Sequence, residues 1–386
     1  MLRWLLLLCG VAAAAPEIRE NERFRLEAEA TAEETDETMR LLEAAYAHLA
    51  ARFKAKPGKI SVQLSEGAPG AAPDGKTVVV QRQPGRYATR ALLLREYVRV
   101  FYELARAKGR EAETKWYREG QAEFLSGHEW DGKTLRMGIV PAVAAENLPG
   151  EALVEAKKEE FDIGAFIDGT ASSRALACAL YGYVTTGDGG KPLPGFYKFE
   201  PKMAGGVKAA PLFWQCFGKK PPEHAQLFVK WLESAQLPFV PISGDWEGLA
   251  PGRIRGGGKG LAACRFQLPA GEFHVTVGAP KEKKGWRAGV VLSHASDADY
   301  AVFLADWAGY FYIFKVVDGK RQTLEQGEGM PPSADGYYRI QLFRKKELVY
   351  LMLEGGASYG PWELPGTGFG LAVENNDLTF SDVSWK

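Results

Sequence analysis

Ala288-Gly289-Val290-Val291-Leu292 and Tyr300-Ala301-Val302-Phe303-Leu304 are two short apolar runs separated by polar residues. Runs of this length and composition are typical of β-strands joined by a turn. Similar segments, bounded by Gly, Pro and Asp, lie on either side: Phe273–Val277, Tyr310–Val317, Tyr337–Phe343, Leu348–Leu353, Phe369–Val373 and Leu378–Trp385. This many strands at such short intervals predict a β-sandwich or a barrel.

The chain before this region has a different pattern. Residues 33–53 carry apolar side chains three or four positions apart, which predicts an amphipathic helix. Two short strands, Lys59–Leu64 and Thr77–Val80, and helices at about 89–107, 113–125, 161–183 and 222–234 are predicted after it. We therefore expect a multidomain protein with a mainly helical α+β domain (16–236), a Pro-rich linker (237–243) and an all-β domain (244–386).

Length and composition agree with two folded domains. The 386 residues exceed what one hydrophobic core usually organises, and 46% hydrophobic with 25% charged residues is ordinary for globular protein. Lys+Arg and Asp+Glu both number 48, so no net charge attracts the chain to nucleic acid. We expect no nucleic-acid partner.

The first residues indicate export. Arg3 precedes the apolar segments Trp4–Leu8 and Val11–Ala15, which predicts a signal peptide at 1–15 and a periplasmic, cell-envelope or extracellular location. No later run approaches the roughly 18 apolar residues of a membrane-spanning helix, so we expect no transmembrane span. Beyond this segment, Cys178, Cys216 and Cys264 allow at most one internal disulfide, Cys178 with Cys216, and buried free thiols are the alternative.

Two predicted helices carry the most informative motif. The first contains Leu94-Arg95-Glu96-Tyr97-Val98-Arg99, and the second contains Trp116-Tyr117-Arg118-Glu119-Gly120-Gln121-Ala122-Glu123-Phe124-Leu125. Together they resemble the peptidase MA-like branch of the gluzincin metallopeptidases, in which the first helix carries His-Glu-x-x-His and the second supplies a glutamate as third zinc ligand. By this resemblance Glu96 matches the general base, Glu119 matches the third ligand, and Arg95 and Arg99 stand where the two histidines would be.

The two arginines decide what this resemblance implies. A guanidinium has no lone pair for a metal, so we expect a degenerate site with no metal and no cofactor. Arg95 and Arg99 together balance the charges of Glu96 and Glu119, which suggests that ion pairs between the helices replace the zinc. A solvated helical face and a new active site in the same pocket are the alternatives, and His128 is the first residue to consider if a metal does bind.

The C-terminal region resembles concanavalin A-like, laminin-G-like jelly-roll domains. The features that carry this resemblance are Asp245-Trp246, the two runs quoted first, and the closing segment from Gly368 to Trp385. Sugar binding needs exposed aromatic rings and polar groups that orient hydroxyls. The candidates are Trp286, Asp306, Trp307, Tyr310 and Tyr312.

The sequence therefore predicts an exported, non-catalytic pseudo-metallopeptidase scaffold joined to a sandwich that binds a carbohydrate or a cell-envelope component. Two hydrolases are the alternative: a residual or altered-metal peptidase that uses Glu96 and Glu119, or a glycoside-active jelly roll. The glycoside-active jelly roll lacks support, because the sequence contains no Glu-x-Asp-x-x-Glu triplet. The acidic segment Glu374–Asp377 has the composition of a turn. A purely structural module is a further alternative.

Overall fold

A computed structural model describes residues 15–66, 76–105, 115–203, 209–218, 221–267, 271–278, 285–328, 336–364, 366 and 368–386. The expected signal peptide lies outside these residues, apart from Ala15. The helices are α1 (Ala32–Phe53), α2 (Arg86–Ala105), α3 (Lys115–Ser126), α4 (Leu148–Ala156), α5 (Ile163–Asp168), α6 (Arg174–Thr186), α7 (Phe196–Met203), α8 (Ala209–Phe217) and α9 (Pro221–Ser234).

Strands of the N-terminal part are β1 (Glu17–Glu20), β2 (Phe24–Ala28), β3 (Ile60–Ser65), β4 (Thr77–Gln81), β5 (His128–Trp130) and β6 (Leu135–Met137). The first four form one sheet in chain order, in which β2, β3 and β4 run parallel. Apolar side chains of this sheet and of α1, α2, α3 and α6 share one buried core. The expected mainly helical α+β part is confirmed, although the helix expected over 161–183 is two helices, because Gly169 ends α5 in the left-handed conformation.

Strands of the C-terminal part are β7 (Phe239–Ser243), β8 (Asp245–Ala250), β9 (Arg253–Gly257), β10 (Leu261–Phe266), β11 (Glu272–Gly278), β12 (Arg287–Ser296), β13 (Asp299–Asp306), β14 (Phe311–Val317), β15 (Lys320–Gly327), β16 (Tyr337–Lys345), β17 (Leu348–Leu353), β18 (Ser358–Glu363), β19 (Gly370–Glu374) and β20 (Leu378–Trp385). They form two seven-stranded sheets, β15-β14-β13-β12-β19-β10-β7 and β18-β17-β16-β11-β20-β9-β8. Aromatic contacts such as Phe266 with Phe273, at 5.7 Å, join the two sheets through one core. The predicted β-sandwich is confirmed.

The residues expected as a linker are part of the sandwich. Phe239–Ser243 pairs with β10 as the edge strand of its sheet. Pro241 lacks an N–H to donate, and an edge strand tolerates this because one of its sides has no neighbour. The expectation of a linker over 237–243 is therefore wrong for residues 239–243.

The helical part and the sandwich are also joined by packing. The Phe239 amide donates to the carbonyl of Ala142 at 3.1 Å, and Val143 is fully buried among the sandwich core residues. Beside this contact, Arg90 of α2 forms an ion pair with the buried Glu247 of β8, which also pairs with Arg255. Burial lowers the pKa of Arg90 to about 10, although the neighbouring Glu37 carboxylate opposes that shift.

Two further sequence expectations concern the chain as a whole. Among the described residues, no helix is both long enough and apolar enough to cross a bilayer. Cys178 and Cys216 are free thiols rather than a disulfide, and Cys178 is buried in the helical core. The alternative of a buried free thiol is therefore confirmed for Cys178, whereas the free thiol of Cys216 is only partly buried.

Candidate functional site

The first candidate site lies on α2, where Arg95, Glu96 and Arg99 interact with one another. The Arg95 Nε donates to Glu96 Oε1 at 3.0 Å, and the Arg99 Nη1 donates to the same oxygen at 2.9 Å. Glu96 is thus held between two guanidinium groups. The Glu96 carboxylate therefore accepts hydrogen bonds from both arginines of this ion-pair cluster.

Arg95 of α2 forms its ion pair to α3 with Glu123 and not with Glu119. Arg95 Nη1 lies 3.1 Å from Glu123 Oε1, whereas Glu119 lies 4.0 Å from the Lys115 ammonium on its own helix. Glu123 also accepts from Arg174 of α6, at 2.8 and 3.0 Å. An ion pair therefore does connect α2 and α3, but its carboxylate comes from the turn after the one the sequence suggested.

The Trp116, Gly120 and Ala122 positions of α3 have a packing role. The Trp116 Nε1 donates to the carbonyl of Ile167 at 3.0 Å, and Ala122 is buried. A Cβ placed on Gly120 would lie 2.1 Å from the carbonyl oxygen of Ala177, so α3 and α6 can approach this closely only at a glycine. Trp116, Gly120 and Ala122 therefore pack α3 against its neighbours.

A zinc ion does not fit these side chains. Among the described residues, no group of three or more His, Cys, Asp or Glu side chains is placed to hold a metal. His128 is buried, its Nδ1 lies 2.8 Å from the Ser126 carbonyl, and its ring stacks on Tyr87 at 4.7 Å. Burial, with Arg90 nearby, lowers the pKa of His128 to about 3, so this histidine is a neutral core residue.

The second candidate site is the hairpin between β13 and β14. Asp306 is buried and its Oδ1 accepts from the amides of Ala308 and Tyr310, at 2.9 and 3.0 Å. These bonds shape the turn, and they leave Trp307 44% exposed and Tyr310 40% exposed. The hairpin thus presents two aromatic side chains to solvent from a turn that is held by a carboxylate.

Two of the expected sugar-binding residues have other surroundings. Trp286 is 1% exposed and packs against Tyr338 in the sandwich core, so the expectation that it contacts a ligand is wrong. Tyr312 donates its hydroxyl to Asp306 Oδ2 at 3.2 Å, and the Arg287 guanidinium lies 4.3 Å from its ring centroid. Asp306 and Tyr312 therefore support the hairpin from within.

A charged cluster lies beside this hairpin on the same sheet. Glu374, at the end of β19, accepts from Arg287 of β12 at 2.9 Å and also from Arg321 of β15. Burial acts to raise the pKa of Glu374, but the hydrogen bonds from both arginines outweigh it and hold the pKa below its ordinary value. The cluster keeps one carboxylate ionised and both of its oxygens occupied.

Sequence reasoning missed Glu123, Arg174, Arg287, Arg321 and Glu374 as members of these clusters. Glu119 and Glu123 are one helical turn apart and share a face, so spacing alone does not separate them. Arg287, Arg321 and Glu374 come from three strands whose registers are set by the sheet. In the sequence, these residues could be recognised only by strand alternation. Ala288 points into the core, so the neighbouring Arg287 points to the other face of the sheet.

Comparisons with known proteins give structural neighbours only. No family model matches the chain, and no curated protein is similar to it in sequence. A carbohydrate-binding module, CBM66 from Bacillus subtilis, is 15% identical, with 38% of this chain and 93% of that chain covered and a TM-score of 0.31. A toad ovary galectin in complex with thio-digalactose is 12% identical, with 33% of this chain and 100% of that chain covered and a TM-score of 0.27.

The GH43 protein BlXynB from Bacillus licheniformis is 16% identical, with 35% of this chain and 34% of that chain covered and a TM-score of 0.28. At such identities and TM-scores, what these proteins bind or hydrolyse does not carry over to this chain. The two candidate sites must therefore be judged on their own geometry.

Proposed function

We propose that this chain is an exported, non-catalytic protein whose sandwich binds carbohydrate through the β13–β14 hairpin. The observation that carries the proposal is the exposure of Trp307 and Tyr310 on a turn held by Asp306. Sugar rings stack on aromatic faces that solvent can reach, and a rigid turn lowers the entropy lost on binding. The Tyr310 hydroxyl is hydrogen bonded to Glu328, so a carboxylate that could accept from sugar hydroxyls lies beside the ring.

The helical part is proposed to be a scaffold descended from a metallopeptidase. Arginines at positions 95 and 99 supply no metal ligand, and Glu96 is held by both of them. A general base must accept a proton from water, and the Glu96 oxygens already accept hydrogen bonds from two guanidinium groups. This arrangement favours the scaffold over a residual peptidase.

Glycan binding by the mature chain tests the sandwich. We expect saturable binding to at least one neutral polysaccharide or glycan, measured by affinity electrophoresis and a glycan array. Trp307→Ala and Tyr310→Ala should each weaken it by about fivefold, since an aromatic contact contributes on the order of 1 kcal/mol. Tyr337→Ala is the matched control, because Tyr337 is also 40% exposed but belongs to the other sheet. Equal losses in all three variants would contradict the hairpin as the binding surface.

Restoring the two histidines tests the scaffold. The wild-type chain is expected to bind no zinc, and Arg95→His with Arg99→His should bind about one zinc per chain if Glu119 can still reach the metal. The measurement is the zinc content of the wild-type chain and of the double variant after dialysis against a zinc buffer. Stoichiometric zinc in the wild-type chain would overturn the proposal of a metal-free scaffold.

The proposal of export depends on residues 1–15. Expression of the full chain in a bacterium should yield a protein shortened by roughly these residues in the envelope or medium fraction. Mass spectrometry of that fraction gives the cleavage position. A full-length chain retained in the cytoplasm would contradict export.

A further inference from the structure

A cavity of about 330 Å³ lies in the helical part, next to the Arg95–Glu123 ion pair. Its walls come from α2, α3, α4, α6, α9 and the segment before α4, and most of them are apolar. They include Tyr87, Ala91, Phe124, Trp231 and Leu237. This volume is at the lower end of the range of pockets that hold small molecules.

The cavity has an apolar interior and a charged side. Tyr87, Phe124 and Leu237 are buried, whereas the side chains of Arg174 and Glu146 are half exposed. Arg174 Nη1 lies 2.6 Å from Glu146 Oε2, and its other nitrogens bind Glu123. Solvent therefore reaches the cavity from the side where these charged groups lie.

The charges on this side balance within the protein. Arg95 and Arg174 face Glu123 and Glu146, and each guanidinium already has a carboxylate partner. A charged ligand would have to displace one of these partners and leave it unpaired, which is costly at a partly buried site. A neutral polar group can accept from an arginine or donate to a glutamate without breaking any pair.

We propose that this cavity binds a small, uncharged and mainly apolar molecule that carries one hydrogen-bonding group. The apolar body lies against Ala91, Phe124 and Leu237, and the polar group is at the charged side near Arg174 and Glu146. This binding is independent of carbohydrate recognition by the sandwich. It gives the helical part a role that requires neither a metal nor catalysis.

Two fluorescent probes with the same ring skeleton test the proposal on the mature chain. N-phenyl-1-naphthylamine is uncharged, and 1-anilinonaphthalene-8-sulfonate adds a sulfonate. We expect saturable binding of about one molecule of the first per chain and binding of the second that is weaker by at least about tenfold, since its charge has no free partner. No saturable binding of the neutral probe, or equal affinity for both probes, would overturn the proposal.

Variants that fill the cavity locate the probe. Ala91→Phe places a ring in the cavity and should weaken the neutral probe by about tenfold or more, with circular dichroism confirming the fold. Ala88→Phe, on the same wall, is the second variant if the first does not fold. Ala51→Phe is the matched control, because Ala51 is an exposed helical alanine away from the cavity. Unchanged affinity in a folded filling variant would refute binding at this position.

Discussion

At the scale of single residues, Glu123 is the charge on which the ion-pair cluster of Arg95 and Arg174 depends. Its side chain is 4% exposed and accepts from both Arg95 and Arg174. Arg99 is 36% exposed, and its ion pair among the described residues is with Glu96 on its own helix. Solvent screens an exposed ion pair, so losing such a pair costs little stability. Removing a buried carboxylate costs more, because its arginines lose their partner.

We therefore expect unequal effects from two neutral substitutions. Glu123→Gln should lower the free energy of unfolding by about 3 kcal/mol, and Arg99→Gln should lower it by less than about 1 kcal/mol. Urea denaturation followed by circular dichroism measures both. Similar losses for the two variants would mean that burial does not govern the strength of these pairs.

His128 gives a pH dependence whose sign follows from its surroundings. Its pKa is about 3 when folded and 6.5 in the unfolded chain, so between these values the unfolded chain binds more protons. Stability attributable to this residue is therefore complete above pH 6.5 and falls by about 1.4 kcal/mol for each pH unit below it, until the folded pKa is reached.

His128→Phe keeps a ring to stack on Tyr87 and removes the titration. The difference in unfolding free energy between the wild-type chain and this variant should shrink as the pH falls from 7 to 4.5. Parallel stability curves over that range would show that His128 is not buried as a neutral imidazole.

At the scale of elements, the close approach of α3 to the backbone of α6 depends on Gly120. Gly120 lies where a Cβ would meet the Ala177 carbonyl oxygen, while a Cβ on Gly58 would meet nothing within 4 Å. In an otherwise open helix, alanine is favoured over glycine by roughly 0.5 to 1 kcal/mol. At Gly120 the overlap with backbone outweighs that preference.

Gly120→Ala should therefore destabilise the chain by about 2 kcal/mol or more, because two helices must move apart. Gly58→Ala, a control at an exposed glycine in the loop before β3, should change the free energy of unfolding by less than about 1 kcal/mol. Thermal unfolding of both variants provides the comparison. A neutral effect at Gly120 would show that the two helices separate at little cost.

The sequence predicted elements better than their partners. Strands such as Ala288–Leu292 could be predicted because the apolar content of a short segment is a local property of the sequence. In the structure this strand spans Arg287–Ser296. The exposed strand Lys320–Gly327 was missed because it has no apolar face. The packing of helices and sheets decides which glutamate pairs with Arg95 and whether Trp286 is buried. The spacing of residues along one element does not contain that information.

At the scale of the whole molecule, the two parts are joined by both apolar and charged contacts. Val143 enters the sandwich core, and Glu247 of the sandwich lies buried between Arg90 and Arg255. Arg90 in turn lies 3.2 Å from Glu37 of α1, whose carboxylate also accepts from Trp130. One chain of charges therefore runs from the first helix into the sandwich.

Glu247→Gln tests whether this junction couples the unfolding of the two parts. The substitution leaves Arg90 and Arg255 buried with less opposite charge, so we expect a loss of about 3 kcal/mol and a calorimetric transition that broadens or splits into two. Glu363→Gln, an exposed glutamate of the same sandwich, should leave the wild-type transition unchanged. If the Glu247 variant unfolds in one transition as sharp as that of the wild-type chain, the buried charge stabilises the fold without coupling its parts, and the packing of Val143 in the sandwich core would then be the contact that joins them.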